Sequence, residues 1–126
     1  MAVRVVDASA VAAVLFGEPE SNLVSERVKN HSLVAPILFG FELANVCLKK
    51  HRLNPERREI ITAAFALRGQ LKVEEVAVDL DGVVQLAIAT RLSGYDAGYL
   101  WLARNLGVGL ITLDRRLANA AAEILP

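Results

Sequence analysis

Val3-Arg4-Val5-Val6 is a β-branched, apolar run that ends abruptly in a carboxylate, Asp7, followed by Ala8-Ser9. Valine at this density suits a strand covered on both faces, which means a parallel sheet inside an α/β domain. Such a strand sets Asp7 at its C-terminal edge, where open α/β sheets bind their ligands. The same signal recurs near the other end of the chain, where Val108-Gly109-Leu110-Ile111-Thr112-Leu113 runs straight into Asp114. Parallel packing of the two strands brings Asp7 and Asp114 to one edge of one sheet.

Between these strands the pattern alternates. Ala10 to Phe16 reads as a short helix stopped at Gly17, and Glu20 to Asn30 as an amphipathic second helix. Ser32 to Ala35 is a short strand, after which Pro36 opens a third helix running to the basic end Lys49-Lys50-His51-Arg52. Asn54-Pro55 supplies an N-cap and first-turn proline to a fourth helix that ends near Gly69. Leu71 to Val76 is the third strand, and Asp79 or Asp81 caps a fifth helix that breaks at Ser93-Gly94. Tyr95 to Leu106 is a sixth helix closed by Gly107, Val108 to Leu113 the fourth strand, and Arg115 to Glu123 the last helix. Ile124-Leu125 is at most the stub of a fifth strand. This order predicts right-handed crossovers and a three-layer α/β/α domain with a mostly parallel sheet of four to five strands. At 126 residues without linkers or repeats, residues 1–126 form one domain.

Composition removes several classes of function. With 14 basic and 14 acidic residues the net charge is zero, so the chain lacks the field of a protein that coats nucleic acid, and any such contact is local. A single cysteine, Cys47, excludes an internal disulfide or a cysteine-based zinc site, and its apolar setting makes it a buried small hydrophobe. Although 54% of residues are hydrophobic, no run approaches the roughly 18 needed to span a bilayer. The surplus is either a protein-binding surface or simply an alanine- and valine-rich core. The N-terminus enters the first strand with no signal-peptide pattern, which places the protein in the cytoplasm and away from membranes.

Two more acids join the edge pair. Glu42 interrupts an apolar helical stripe whose members include Leu38, Phe39 and Val46, where an unpaired carboxylate is costly. Asp96 opens a helix on the side of Tyr99, Leu100 and Ala103. Each has a plainer reading: Asp7 and Asp114 as helix caps, Asp96 as a capping box with Ser93, Glu42 as a core-edge ion pair. Gathered in one cleft, however, four carboxylates repel one another unless a cation compensates. Hard oxygen donors select Mg²⁺ or Mn²⁺, which bridge to phosphate oxygens and activate water. The chemistry implied is metal-dependent phosphodiester hydrolysis.

Val5-Val6-Asp7-Ala8-Ser9, Phe41-Glu42-Leu43-Ala44-Asn45, Tyr95-Asp96-Ala97-Gly98-Tyr99-Leu100-Trp101 and Ile111-Thr112-Leu113-Asp114-Arg115-Arg116 resemble, in order and spacing, the four acidic motifs of PIN-domain ribonucleases. They resemble above all the small VapC-type toxins of toxin–antitoxin modules. The resemblance implies a PIN-like fold in which Asp7, Glu42, Asp96 and Asp114 are the catalytic and metal-binding acids, supported by the hydroxyls of Ser9 and Thr112. It also implies an RNA substrate, water as nucleophile and a cognate antitoxin as inhibitor, while the apolar surplus adds the expectation of a homodimer. Two departures stand out: little chain follows the last helix, and the third motif lacks the extra acids of richer relatives.

The remaining candidates are weaker. Arg115 and Arg116 stand where they can meet an RNA backbone, whereas the Lys49 to Arg52 run also suits a solvated helix end. Tyr95, Tyr99 and Trp101 are candidates for base stacking, with core packing the better account of Trp101. Phe16, the apolar faces of the first two helices and Ile60 to Phe65 offer a groove for an antitoxin helix. A phosphatase using Asp7 as nucleophile wants a second aspartate two places on, where this chain has Ser9. The other rival, a PIN fold kept for RNA or protein binding without turnover, is expected to have lost an acid, and all four are present.

Overall fold

Residues 1–126 are described by a computed structural model. Valine decides its centre. Strand β1 (Ala2–Val6) carries Val5 and Val6, both fully buried. It pairs in parallel with β2 (His31–Pro36) on one side and β4 (Leu110–Ile111) on the other, and β3 (Glu74–Val76) pairs in parallel with β2. The sheet has four strands in the order β3-β2-β1-β4, all parallel.

Helices α1 (Ala8–Leu15) and α2 (Ser21–Val28) link β1 to β2, and α3 (Phe39–Leu53) and α4 (Arg58–Ala66) link β2 to β3. Helices α5 (Leu80–Thr90) and α6 (Gly94–Leu106) then return the chain past β1 to β4, and α7 (Arg115–Ile124) closes it. Right-handed crossovers that step first one way and then the other put α1 to α4 on one face and α5 and α6 on the opposite face. The reversal makes the seam between β1 and β4 a topological switch point.

The residues facing the sheet explain why these helices fit. Helix α1 buries Ala8, Ala10, Ala12 and Ala13 along with Val11, and such small side chains let it lie close against its neighbours. Helix α6 buries Ala97, Tyr99, Leu100, Leu102 and Ala103. Four helices start on side-chain caps: Asp7 accepts from the Ala10 amide, Asp79 from Gly82, Ser93 from Asp96 and Asp114 from Leu117. No helix is long and apolar enough to cross a membrane.

The structure corrects several boundaries. Pro36 ends β2, paired with Val76, and does not open α3; at the end of a strand its missing N–H costs little. Helix α3 starts only at Phe39, after Leu38 has turned into the left-handed region at φ 87°. Asn54 does not cap α4: its side-chain Nδ2 donates back to the Lys50 carbonyl at 2.8 Å, and Pro55–Arg57 is a 3₁₀ turn. A second 3₁₀ turn, Arg68–Leu71, shortens β3. Strand β4 keeps only two residues, because the Asp114 amide bonds to the Thr112 hydroxyl and turns the chain into α7. There is no fifth strand: Ile124 ends α7, and the Leu125 amide still bonds to the Ala121 carbonyl.

A carboxylate-lined candidate active site

Asp7 is the residue around which the site is built. It is 4% exposed, and no other acidic or basic side chain in the protein is buried. Its Oδ1 accepts from the Ser9 hydroxyl at 2.7 Å and from the Ala10 amide at 3.0 Å, while its Oδ2 accepts a short hydrogen bond from the Thr112 hydroxyl. Ser9 in turn accepts from the Leu113 amide at 3.0 Å. Two hydroxyls thus lash the end of β1 to the loop after β4, across the switch point.

Asp114 sits on that loop, its Oδ1 accepting from the Leu117 amide at 3.0 Å. Capping and site membership are compatible for both aspartates, because a carboxylate has about four acceptor positions. From the opposite faces of the sheet come Glu42 on α3 and Asp96 on α6. Glu42 Oε1 accepts from the Tyr99 hydroxyl at 2.8 Å. The Asp96 amide donates to Ser93 Oγ at 3.1 Å, so Ser93 caps the helix that carries the acid. Asp7, Ser9, Glu42, Asp96, Tyr99 and Asp114 together line one cavity of about 200 Å³. The four acids face this common space without closing on a point, since no three acidic, imidazole or thiol side chains are set tightly enough to grip a metal ion.

The electrostatics follow from that crowding. Burial pushes the Asp7 carboxyl above its usual value and the Asp114 charge adds to it, opposed by hydrogen bonds from Thr112, Ala10 and Ser9. Burial also raises Glu42, with Asp96 and Asp7 adding and the Tyr99 bond opposing. Asp96 is raised by burial and then by Asp114 and Asp7, with Arg116 and Ser93 working the other way. Tyr99 is held far above the usual phenol range, first by burial and then by Glu42, so it stays a proton donor. A cluster of carboxylates in this condition is short of positive charge.

The weaker candidates separate cleanly. Tyr99, 1% exposed and bonded to Glu42, is sealed in the core and has no face for a base. Trp101 is half-buried against the core beside Gly82. Tyr95 is exposed. Arg115 is exposed, and the exposed Arg116 donates to the Arg91 carbonyl at 3.0 Å while acting on Asp96. Lys50, in the basic run, is instead paired with Glu18 at 2.6 Å and stands over the Phe16 ring. Phe16, Lys50, Ile60 and Ile61 line a groove of about 480 Å³ formed by the ends of α1 and α3 and by α4, to which α2 contributes nothing. Cys47 is buried and unpaired. Phe41, beside Glu42 in the second acidic motif, is 73% exposed.

A parallel sheet with helices on both faces and acids from β1, α3, α6 and the β4 loop around its switch edge is the arrangement of one class of domain. The model of the PIN domain family matches residues 4–123, and the chain belongs to that family. Within it the chain stands with the VapC group: it is 34% identical over 123 residues to Ribonuclease VapC3 of Pyrobaculum aerophilum, covering 91% of this chain and 92% of the relative. The crystal structure of PAE2754 from the same organism superposes with a TM-score of 0.74 at 30% identity, covering 95% of this chain and 87% of the other. Mycobacterium tuberculosis VapC20, a sarcin–ricin loop cleaving toxin, superposes with a TM-score of 0.65 over 98% of this chain and 99% of its own. At 20% identity that likeness is one of fold.

Proposed function

We propose that this protein is a Mg²⁺- or Mn²⁺-dependent endoribonuclease toxin that hydrolyses RNA phosphodiester bonds and is silenced by a cognate antitoxin. The observation that carries the reading is the single cavity lined by Asp7, Glu42, Asp96 and Asp114, in a chain 34% identical to a ribonuclease along nearly its whole length.

The donor set fits a hard divalent cation. All the available ligands are oxygens, three of the acids are raised by burial and mutual repulsion, and their open spacing suits an ion that keeps much of its own water and takes only one or two carboxylates. Asp7, Glu42, Asp96 and Asp114 line the space that would hold it, one or two of them directly and the others through its waters. Once bound, the ion supplies Lewis acidity, acidifying water and offsetting the charge that builds on the phosphodiester. Ser9 and Thr112 fix the rotamer of Asp7 and favour its ionised form against the burial that opposes it, since each donates to the carboxylate. Glu42 accepts from Tyr99 and is oriented to hold a proton from the attacking water. Arg115 and Arg116, just beyond Asp114, meet the substrate backbone.

The antitoxin docks by a helix in the groove beside Phe16, Lys50, Ile60 and Ile61. The protein is a homodimer, and the exposed stripe Leu80, Val84 and Ile88 along α5 offers apolar surface for pairing. Light scattering that gives the monomer mass at micromolar concentration removes the dimer.

Cleavage of a structured total-RNA pool tests the enzyme itself. Discrete products with Mg²⁺ or Mn²⁺ that vanish with a chelator and with Asp7→Asn support the reading. Folded, antitoxin-free protein that cuts nothing with either metal turns the site into a binding module.

A further inference from the structure

We propose that the cavity on the outer side of Glu42 is a nucleobase subsite, in which an unpaired base next to the scissile phosphate stacks on Phe41 and Tyr95 while Asn45 reads its edge. The proposal rests on the ribonuclease reading above. The cavity, about 500 Å³, is lined by Leu38, Phe41, Glu42, Asn45 and Tyr95, and Glu42 is shared with the carboxylate cavity. A chain whose phosphate lies against the acids therefore has a neighbouring base here.

The local sequence builds this rim twice. Phe41 immediately precedes Glu42 on α3, and Tyr95 immediately precedes Asp96 on α6. Successive helical residues point about 100° apart, so each acid turns inward while its aromatic neighbour stays at the mouth. Phe41 is 73% and Tyr95 61% exposed, so core packing does not account for either ring. Asn45, one turn beyond Phe41 and also exposed, offers a donor and an acceptor side by side, the pattern that reads a base edge. At the floor of the rim, Leu38 is held left-handed at φ 87° by its amide bonding to Glu75 Oε1 at 3.0 Å. That conformation is strained for a bulky residue.

Charge explains why stacking is needed. With zero net charge and an acidic cavity, the protein gains little from the phosphate attraction that holds most nucleic-acid binders. Aromatic stacking does not depend on charge, and it is how single-stranded RNA is gripped. A patch made to seat another protein has less use for Glu42 and Asn45 in its floor or for an opening into the carboxylates.

The test is fluorescence anisotropy of labelled ten-nucleotide oligo-A, oligo-U and oligo-C with the full chain, in Ca²⁺ so that binding is read apart from cleavage. Phe41→Ala and Tyr95→Ala should each weaken binding by about 5- to 150-fold. Tyr95→Phe, which keeps the ring, should bind within about twofold of the parent, and Asn45→Ala should alter the ranking of the three oligomers. Leu23→Ala, an exposed apolar change on α2, controls for loss of surface, and circular dichroism for loss of fold. Alanine variants that bind like the parent while Asp7→Asn still abolishes cleavage overturn the subsite and leave the ribonuclease standing. Weakened binding in a protein that cleaves no RNA supports base stacking on Phe41 and Tyr95 but overturns the ribonuclease, and with it the placing of that base beside a scissile phosphate. A parent that binds none of the oligomers, or alanine variants that turn a dimer into a monomer with RNA binding unchanged, overturns the subsite.

Discussion

Tyr99, sealed inside α6, donates its hydroxyl to Glu42 Oε1 on α3 at 2.8 Å, joining the core to the rim of the acid cavity across 57 residues of sequence. Three acids around it carry raised pKa values, so the bond helps keep Glu42 ionised where its neighbours oppose this.

Tyr99→Phe removes that donor. The Glu42 carboxyl, already raised by burial, loses an interaction that lowers it and rises further. The acid limb of the cleavage profile should move to higher pH, and stability should fall by about 1.5–3 kcal/mol, the range for a hydrogen bond to a charged group. A pH–rate profile and urea unfolding read the two effects; an unchanged acid limb detaches Tyr99 from the chemistry.

Metal-free protein should show a pH dependence opposite to ordinary acid denaturation. Asp7, Glu42 and Asp96 have folded-state values above their ordinary 3.8, 4.5 and 3.8. Below those ordinary values both states are protonated and nothing is lost. As pH rises through the window up to the raised values, the unfolded chain ionises first and the cluster's contribution to stability falls. Mg²⁺ at ten times its Kd should return about 1.4 kcal/mol at neutral pH. Thermal melts with and without chelator from pH 4 to 8 measure this, and Asp7→Asn melts isolate the share of Asp7.

Thr112→Val separates shape from hydrogen bonding. The hydroxyl donates to Asp7 and accepts from the Asp114 amide at 3.0 Å, so the variant strands a buried carboxylate oxygen and an amide. A loss of about 1–3 kcal/mol is expected, together with slower cleavage. Thr112→Ser should restore most of both, and failure of that rescue would point to the methyl group.

Asp7→Asn keeps an acceptor for Ser9 and Ala10 and removes the charge that burial opposes. At pH 8 without metal its stability should lie within about 1 kcal/mol of the parent, while cleavage falls by more than about 100-fold. Calorimetry beside an RNA assay checks both, and an unfolded variant would remove the argument.

Gly82→Ala should destabilise, against the usual gain from replacing a helical glycine. A Cβ there meets Trp101 Nε1 at 2.5 Å, so the indole has to leave its packed position or α5 has to move away from α6. A cost of about 1–3 kcal/mol is expected, visible in the urea midpoint.

Much of this could be read along the chain because it is written in local signals. The valines of β1 and the aspartates that follow β1 and β4 give parallel strands with acids at their ends, and Ser93 and Gly107 bracket α6 as a capping serine and a left-handed glycine at φ 67°. The failures occur where distant parts compete with local preference. Pro36 looks like a helix start, but pairing with β3 takes it into the sheet. Asn54 looks like a cap for the following helix, but its side-chain amide turns back to the end of α3. Nothing near Tyr99 reveals that its partner is Glu42, and nothing near Phe41 shows that its ring is left in solvent.

The sequence by itself determined the alternation of strands and helices, and with it the delivery of Asp7 and Asp114 to strand ends, because period and capping act within a few residues. Only the tertiary structure decided that the chain doubles back past β1. That reversal places α3 and α6 on opposite faces, so that Glu42 and Asp96 approach the same 200 Å³ cavity from two sides. Burial and mutual repulsion of the acids arise from that packing, and no single segment of the sequence contains them.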